Sequence, residues 1–127
     1  AAVRTYTGYG GFVHTVCFAP DGKTIAAAGQ DKTIRIWSLG DGKELHSIKA
    51  HASTIYSLAY SPDGKQLCSG GFDKIVKLWN ASNGIELRKF QGHTEGVFCL
   101  RFSPDGEQLF SGSSDLTIRR WGVADGK

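Results

Sequence analysis

Methionine is missing from all 127 residues, and no apolar run is long enough to cross a membrane or to serve as a secretion signal. No stretch has helical spacing with capping residues, which leaves strands and turns as the building material. Cysteine is scarce. Cys17, Cys68 and Cys99 are odd in number and widely spaced, so neither a disulfide framework nor a thiolate metal site is indicated, and free buried thiols in a reducing cytoplasm are expected. Excess charge is also scarce: the formal net charge of +3 is spread along the chain, whereas nucleic acids and membranes usually demand a clustered basic face. The histidines His14, His46, His51 and His93 show no i, i+4 pairing and no nearby carboxylate set, so no metal and no cofactor is expected. Residues Gly8 to Phe12 look like a phosphate loop but lack the third glycine of the Gly-x-Gly-x-x-Gly pattern, where Val13 stands, and a following helix, and read as a connector.

What the chain does contain is repetition. Pro20, Pro62 and Pro104 keep a step of 42, as do Trp37, Trp79 and Trp121, and Asp31, Asp73 and Asp115. The turn pairs Asp21-Gly22, Asp63-Gly64 and Asp105-Gly106 keep it too, so one unit is written three times, over 1–42, 43–84 and 85–127. In the second unit Ile55 to Tyr60 alternates, the turn formers Ser61 to Lys65 close a hairpin, and Gln66 to Gly70, Lys74 to Trp79 and Ile85 to Gln91 follow as further strands. A repeat of about 40 to 45 residues with four antiparallel strands is the pattern of a propeller blade. The fold class expected is therefore all-β, a propeller segment with three blades on one chain.

The landmarks resemble those of the WD-repeat family of β-propellers. They are Gly92-His93, Phe102 to Gly106, Ser111-Gly112, Asp115 and Trp121, and again His51, Tyr60 to Gly64, Ser69-Gly70, Asp73 and Trp79. Two features depart from the family pattern: Ser38, Asn80 and Gly122 stand where its terminal Asp is found, and Tyr9 stands where the other units have His51 and His93. The resemblance implies a hydrogen-bonded chain inside each blade, made by His51, Ser69, Asp73 and Trp79, and by His93, Ser111, Asp115 and Trp121. The first unit keeps only Asp31 and Trp37, with Tyr9 and Ala27 in the other places, so its network is expected to be broken and its blade the least stiff. Arg35, Lys77 and Arg119, each two residues before a Trp, read as solvated charges whose stems cover the aromatic ring, with a cation-π contact open to them.

Serine, histidine and aspartate are also the parts of a nucleophilic triad, which makes a hydrolase one reading of the same residues. An active site seldom recurs in successive copies of a repeat, whereas a structural network does, and no catalytic residue is assigned. The resemblance places Phe12, His14 and Gln30, Thr54, Tyr56 and Phe72, and Gly96, Phe98 and Ser114 on one rim of the ring. Exposed aromatics there would anchor a protein partner, while the plainer alternative is filler between loops. The function expected is thus a non-catalytic, cytoplasmic scaffold for protein partners. Its rival is a self-assembling repeat unit, engineered or cut from a longer propeller, with no ligand. Val3 to Thr7 carries the pattern of the outer strands Leu45 to Lys49 and Leu87 to Gln91, which the third unit lacks after Thr117 to Trp121. Exchange of that strand would close a homo-oligomeric ring, a dimer of six blades or a trimer of nine, and Arg120 in the column of Ile36 and Leu78 marks a different neighbour for the last blade.

Overall fold

The computed structural model describes residues 3–126. Alternating β-formers separated by Asp-Gly turns give eleven antiparallel strands among the described residues. The first sheet is β1 (Val13–Phe18), β2 (Thr24–Gly29), β3 (Thr33–Ser38) and β4 (Glu44–Lys49), paired in sequence order. The second repeats the order with β5 (Ile55–Tyr60), β6 (Gln66–Gly71), β7 (Val76–Asn80) and β8 (Glu86–Phe90). The third has β9 (Val97–Phe102), β10 (Gln108–Ser113) and β11 (Ile118–Gly122). Each first strand shifts register against the second near its start, at Val13/Thr15, Ile55/Ser57 and Val97/Cys99. The shift turns the chain where it enters from the preceding loop. Gly71 is obligatory there, because a Cβ would lie 2.1 Å from the Thr54 carbonyl oxygen.

The sheets stack through two apolar seams. Ala26, Ala28, Ile34, Ile36 and Ile48 of the first sheet meet Leu58, Leu67 and Trp79 of the second. Cys68, Val76, Leu78 and Phe90 of the second meet Leu100, Leu109 and Trp121 of the third. The second seam is tighter at Gly70, where a Cβ would come within 2.8 Å of Val97. It also carries a polar tie, since Ser57 Oγ accepts the backbone N–H of Leu100 at 3.1 Å. The repeat makes the outermost faces easy to recognise. Val16 is 63% exposed although Leu100, at the same place in the third unit, is fully buried. On the other side Ile118 is 79% exposed although Val76, its counterpart, is fully buried.

Residues 3–7, expected as a strand, form none. An isolated segment has no ladder to join, and a strand is defined by its partner as much as by its own alternation. The segment nevertheless lies where an outer strand would. Arg4 Nη1 donates to the Leu39 carbonyl at 3.1 Å, as Arg88 donates to Ala124, and Tyr6 packs on Trp37 at 5.4 Å between centroids, as Phe90 packs on Trp121 at 5.6 Å. The thiols also differ from expectation. Cys68 is buried and Cys17 partly so, its thiol pushed up to about 12 by burial, but Cys99 is exposed because it lies on the uncovered face of the third sheet.

Candidate functional site: the polar network and the aromatic rim

In the second sheet β6 presents Ser69, β7 presents Trp79, the turn between them presents Asp73, and the loop before β5 presents His51. The structure brings all four together. Trp79 Nε1–H donates to Ser69 Oγ at 2.8 Å, Ser69 Oγ lies 2.7 Å from His51 Nε2, and His51 Nδ1 lies 2.8 Å from Asp73 Oδ2. Donor counting orders the protons: an indole only donates, so the serine hydroxyl turns its hydrogen to His51 Nε2, and Nδ1–H goes to the carboxylate. His93, Ser111, Asp115 and Trp121 repeat the chain in the third sheet at 2.9, 2.6 and 2.7 Å. The carboxylates reach further. Asp73 accepts the N–H groups of Ala52 and Ile75, and Asp115 those of Thr94 and Thr117, so each ties the incoming loop to the turn.

This wiring is that of a nucleophilic triad, but its surroundings oppose attack. Ser69 and Ser111 are buried, and each accepts an indole N–H on the oxygen that would have to be the nucleophile. Charge at the acids is well supported. Burial pushes the Asp73 carboxyl up, but hydrogen bonds from His51, Ile75 and Ala52 outweigh it and hold the group below the ordinary carboxylate value. The Thr117 hydroxyl, with His93 and backbone N–H groups, holds Asp115 well below that range.

In the first sheet no chain of hydrogen bonds runs from the indole to the carboxylate among the described residues, but the indole still finds an acceptor. Trp37 Nε1–H donates to the Tyr9 hydroxyl at 2.9 Å, so a phenol from the entering loop replaces the serine. Ala27, at the serine's place, adds no bulk beyond a methyl. Asp31 still ties the loop by accepting the Gly10 N–H at 3.2 Å and that of Thr33 at 3.1 Å. Burial is the main cause that raises the Tyr9 pKa, which keeps the phenol neutral. Arg35 lies over the Tyr9 ring at 5.2 Å and pairs with Glu44, while Lys77 lies 5.7 Å from the Trp79 ring and pairs with Glu86. Both are therefore paired charges. Sequence reasoning named Tyr9 but missed its role as the acceptor for Trp37, and the available signal was that indole, a buried donor in need of an acceptor.

The rim residues divide into two groups. His14, Tyr56 and Phe98, at one place in successive units, form a continuous ridge: the first pair of rings is 5.4 Å apart and the second, stacked at 30°, is 4.5 Å apart. Phe12 is 73% and Phe72 59% exposed, and both flank the ridge with Ser114. Gln30 is exposed but its amide oxygen accepts the Phe12 N–H at 3.0 Å. Thr54 and Gly96 contribute carbonyls instead of surface: they accept the N–H groups of Phe72 and Ser114.

Removing the central hydroxyl should strand a buried indole and an imidazole, so Ser69→Ala is expected to cost about 1 to 3 kcal/mol in a urea titration. Tyr9→Phe should cost about 1 kcal/mol at the half-buried first-sheet site. A fluorophosphonate should leave Ser69 and Ser111 unlabelled in the folded chain, and labelling of either would reopen the hydrolase reading.

A second expectation concerns acid. A depressed carboxyl stabilises the fold fully above its unfolded value of about 3.9, and that contribution fades as pH falls through the lower folded value. The stability difference between the parent and Asp73→Asn should therefore be constant from neutrality to about pH 5 and shrink below about pH 4. Denaturant titrations at several pH values check this, and a difference that grows on acidification would contradict it.

The chain was compared with known proteins. The family model described as IFT122 first beta-propeller matches residues 12–127. Curated relatives are similar over shorter stretches: small ribosomal subunit protein RACK1 of Medicago sativa is 43% identical over 47 residues, which are 37% of this chain and 14% of that protein. General transcriptional corepressor TUP1 of Saccharomyces cerevisiae is 36% identical over 44 residues, 35% of this chain and 6% of that protein. Two solved structures, of U3-55K and of the RRP9 WD40 repeats, superpose with TM-scores of 0.95 and 0.94 at 32% identity, covering 98% of this chain. The chain spans 40% and 39% of those two chains, and 14% of the RACK1 relative. With landmarks at a fixed step, stacked antiparallel sheets and a family model that matches from the first loop onward, the chain belongs to the WD-repeat β-propeller family, in the group of the IFT122 first beta-propeller.

Proposed function

We propose that this chain is a non-catalytic platform for protein partners, and that the rim of Phe12, His14, Gln30, Thr54, Tyr56, Phe72, Gly96, Phe98 and Ser114 is its docking surface. The observation that carries the reading is the ridge His14–Tyr56–Phe98, whose two outer rings are exposed and whose middle ring is half-buried, with the exposed Phe12 and Phe72 on the same rim. Large aromatic rings left in water on a rigid scaffold are typical anchors of interfaces. The Trp, Ser, His and Asp chains are the scaffold's part: they fix the loops from which the rim projects. The expected outcome is that Phe12→Ser, Phe72→Ser and Phe98→Ser remove protein partners retained by the parent without lowering its melting temperature. Changes at the opposite turns, such as Lys65→Ser, should leave them in place. Equal retention by rim and opposite-side variants would contradict the assignment.

The uncovered faces favour a second reading, in which copies of the chain cover one another to close a ring of six or nine blades. Val16 and Phe18 on one side and Phe110 and Ile118 on the other are exposed where their repeat counterparts pack inside the seams. Residues 3–7 lie in the outer-strand place, ready to pair with β11 of another copy. Arg120 opposes it, since the junction would seat a charge where Ile36 and Leu78 are buried. Light scattering decides: a mass two or three times 13.7 kDa is expected, and a folded monomer at micromolar concentration would overturn the ring.

A further inference from the structure

On the side away from the rim the joints between sheets are not alike. Arg4, His46 and Arg88 keep the step of 42 and stand at one place in successive outer segments. Arg4 Nη1 donates to the Leu39 carbonyl and Arg88 Nη2 to that of Ala124, so each guanidinium crosses to the turn after the third strand of the sheet that follows. His46 is too short to cross. A Cβ built on the glycine of that turn would lie 2.9 Å from Arg4 Nη1 at Gly42 and 3.0 Å from Arg88 Nη1 at Gly126, but 3.9 Å from His46 Nδ1 at Gly84. At this joint of the first two sheets a groove of about 550 Å³ descends past the turns to Ile36 of β3 and to Leu45 and His46 of β4. Where Arg88 crosses, the corresponding space is lined by the turns and Gln66 alone, with Gly106, Glu107 and residues 122–125 around it.

The floor of the groove is apolar, from Ala19, Ile36, Leu45 and Ala81, and its inner end is polar. There the carboxylates of Asp21 and Asp63 stand with the hydroxyls of Thr24 and Tyr60, whose oxygens are 3.3 Å apart. Asp21 accepts the Lys23 N–H, and Asp63 the Lys65 N–H and the Ser61 hydroxyl, all through Oδ1, so Oδ2 of each acid is left for another donor. Lys65 lines the groove too. Two carboxylates against one ammonium leave the lining one negative charge with histidine neutral. Asn83 stands where Asp41 and Asp125 stand in the flanking turns, so the outer end offers carbonyls and no carboxylate.

We infer that this groove receives one arginine side chain of a protein partner, with its stem over Leu45, Ile36 and Ala81 and its guanidinium at Asp21 and Asp63. The side chain enters from the outer edge, from which Arg4 and Arg88 reach across the flanking joints, and takes the space that the shorter His46 leaves. Both halves of arginine are matched there. Its methylenes cover an apolar floor, and its planar fork of donors meets acceptor oxygens on two adjacent turns, where an acidic side chain would be repelled. The groove opens away from the rim, so the inference does not rest on the docking surface proposed there.

The test is an NMR titration of the isotopically labelled full chain with blocked serine-rich peptides of one length that carry arginine, citrulline or glutamate at one central place. The arginine peptide should shift the amide signals of Thr24, Lys65, Ala81 and Ser82. It should bind at least about tenfold more tightly than the citrulline peptide, which keeps the shape and loses the charge, and the glutamate peptide should not bind. Asp21→Asn keeps an oxygen for the Lys23 N–H and should bring the arginine peptide down to the citrulline level. His46→Arg should supply the crossing guanidinium from within: the melting temperature should rise by about 3 °C and the arginine peptide should lose its shifts. Phe72→Ser, on the rim, should change neither. Equal binding of arginine and citrulline, shifts confined to the rim, or no shift at about 10 mM peptide would each overturn the inference. So would an Asp21→Asn variant that binds as the parent does, or a His46→Arg variant that gains no stability or still takes up the peptide.

Discussion

No sheet in this chain hides both of its own faces. Four short strands bury nothing by themselves, and each unit becomes stable only when its neighbour's apolar side closes over it. The seams of Ala26, Ile34 and Ile36 against Leu58 and Trp79, and of Cys68, Val76 and Leu78 against Leu100 and Trp121, are where this is met. Everything on the rim is held in place through them, since the loops leave from strands whose backs are fixed by the next sheet. The same dependence explains why identical columns behave so differently: whether a residue is core or surface is decided by whether a neighbour is present.

The polar chains do a second job that apolar packing does poorly. Burial holds a sheet against its neighbour but does not choose between nearby loop conformations, whereas directed hydrogen bonds with one satisfied arrangement do. Tyr9 shows how little the chemistry depends on residue identity. An acceptor for the indole and a carboxylate for the loop are required, and the first unit supplies them from a phenol and Asp31 without any imidazole. This is the behaviour of structural wiring. A catalytic set would lose its function with such a replacement, because the phenol neither relays a proton to Asp31 nor offers a nucleophile beside a base.

Much of this was legible in the sequence because repetition separates structural positions from free ones. Turn residues, tryptophans and the Ser, His and Asp columns stood out by recurring, and the strands follow the alternation with shifts of one or two residues, as at Val76–Asn80 where Lys74 to Trp79 was expected. What was not legible depends on partners that no local pattern encodes. Val3 to Thr7 has a strand's alternation but no ladder, Cys99 has a buried residue's chemistry but no covering sheet, and Tyr9 serves Trp37 from outside the repeat's usual column. Among the rim residues, Gly96 and Thr54 look variable in sequence yet act through their carbonyls, which side-chain reasoning does not reach.

The two seams are tied by different hydrogen bonds. Ser57 accepts the Leu100 amide across the second seam, whereas Thr15, its counterpart in the first unit, lies where no such bond to Leu58 is present among the described residues. The Leu100 amide is thus shielded by the adjacent sheet and not by its own ladder, so it becomes accessible to water only when the second and third units part. The first seam has its own tie, since Thr24 Oγ1 of β2 lies 3.3 Å from the Tyr60 hydroxyl of β5, so the first unit gives up a directed bond as well as dispersion if it parts from the second. Each joint between units is therefore pinned by a directed bond as well as by packing, and a partner that bridges two units across the rim would meet a surface whose halves are already held in register.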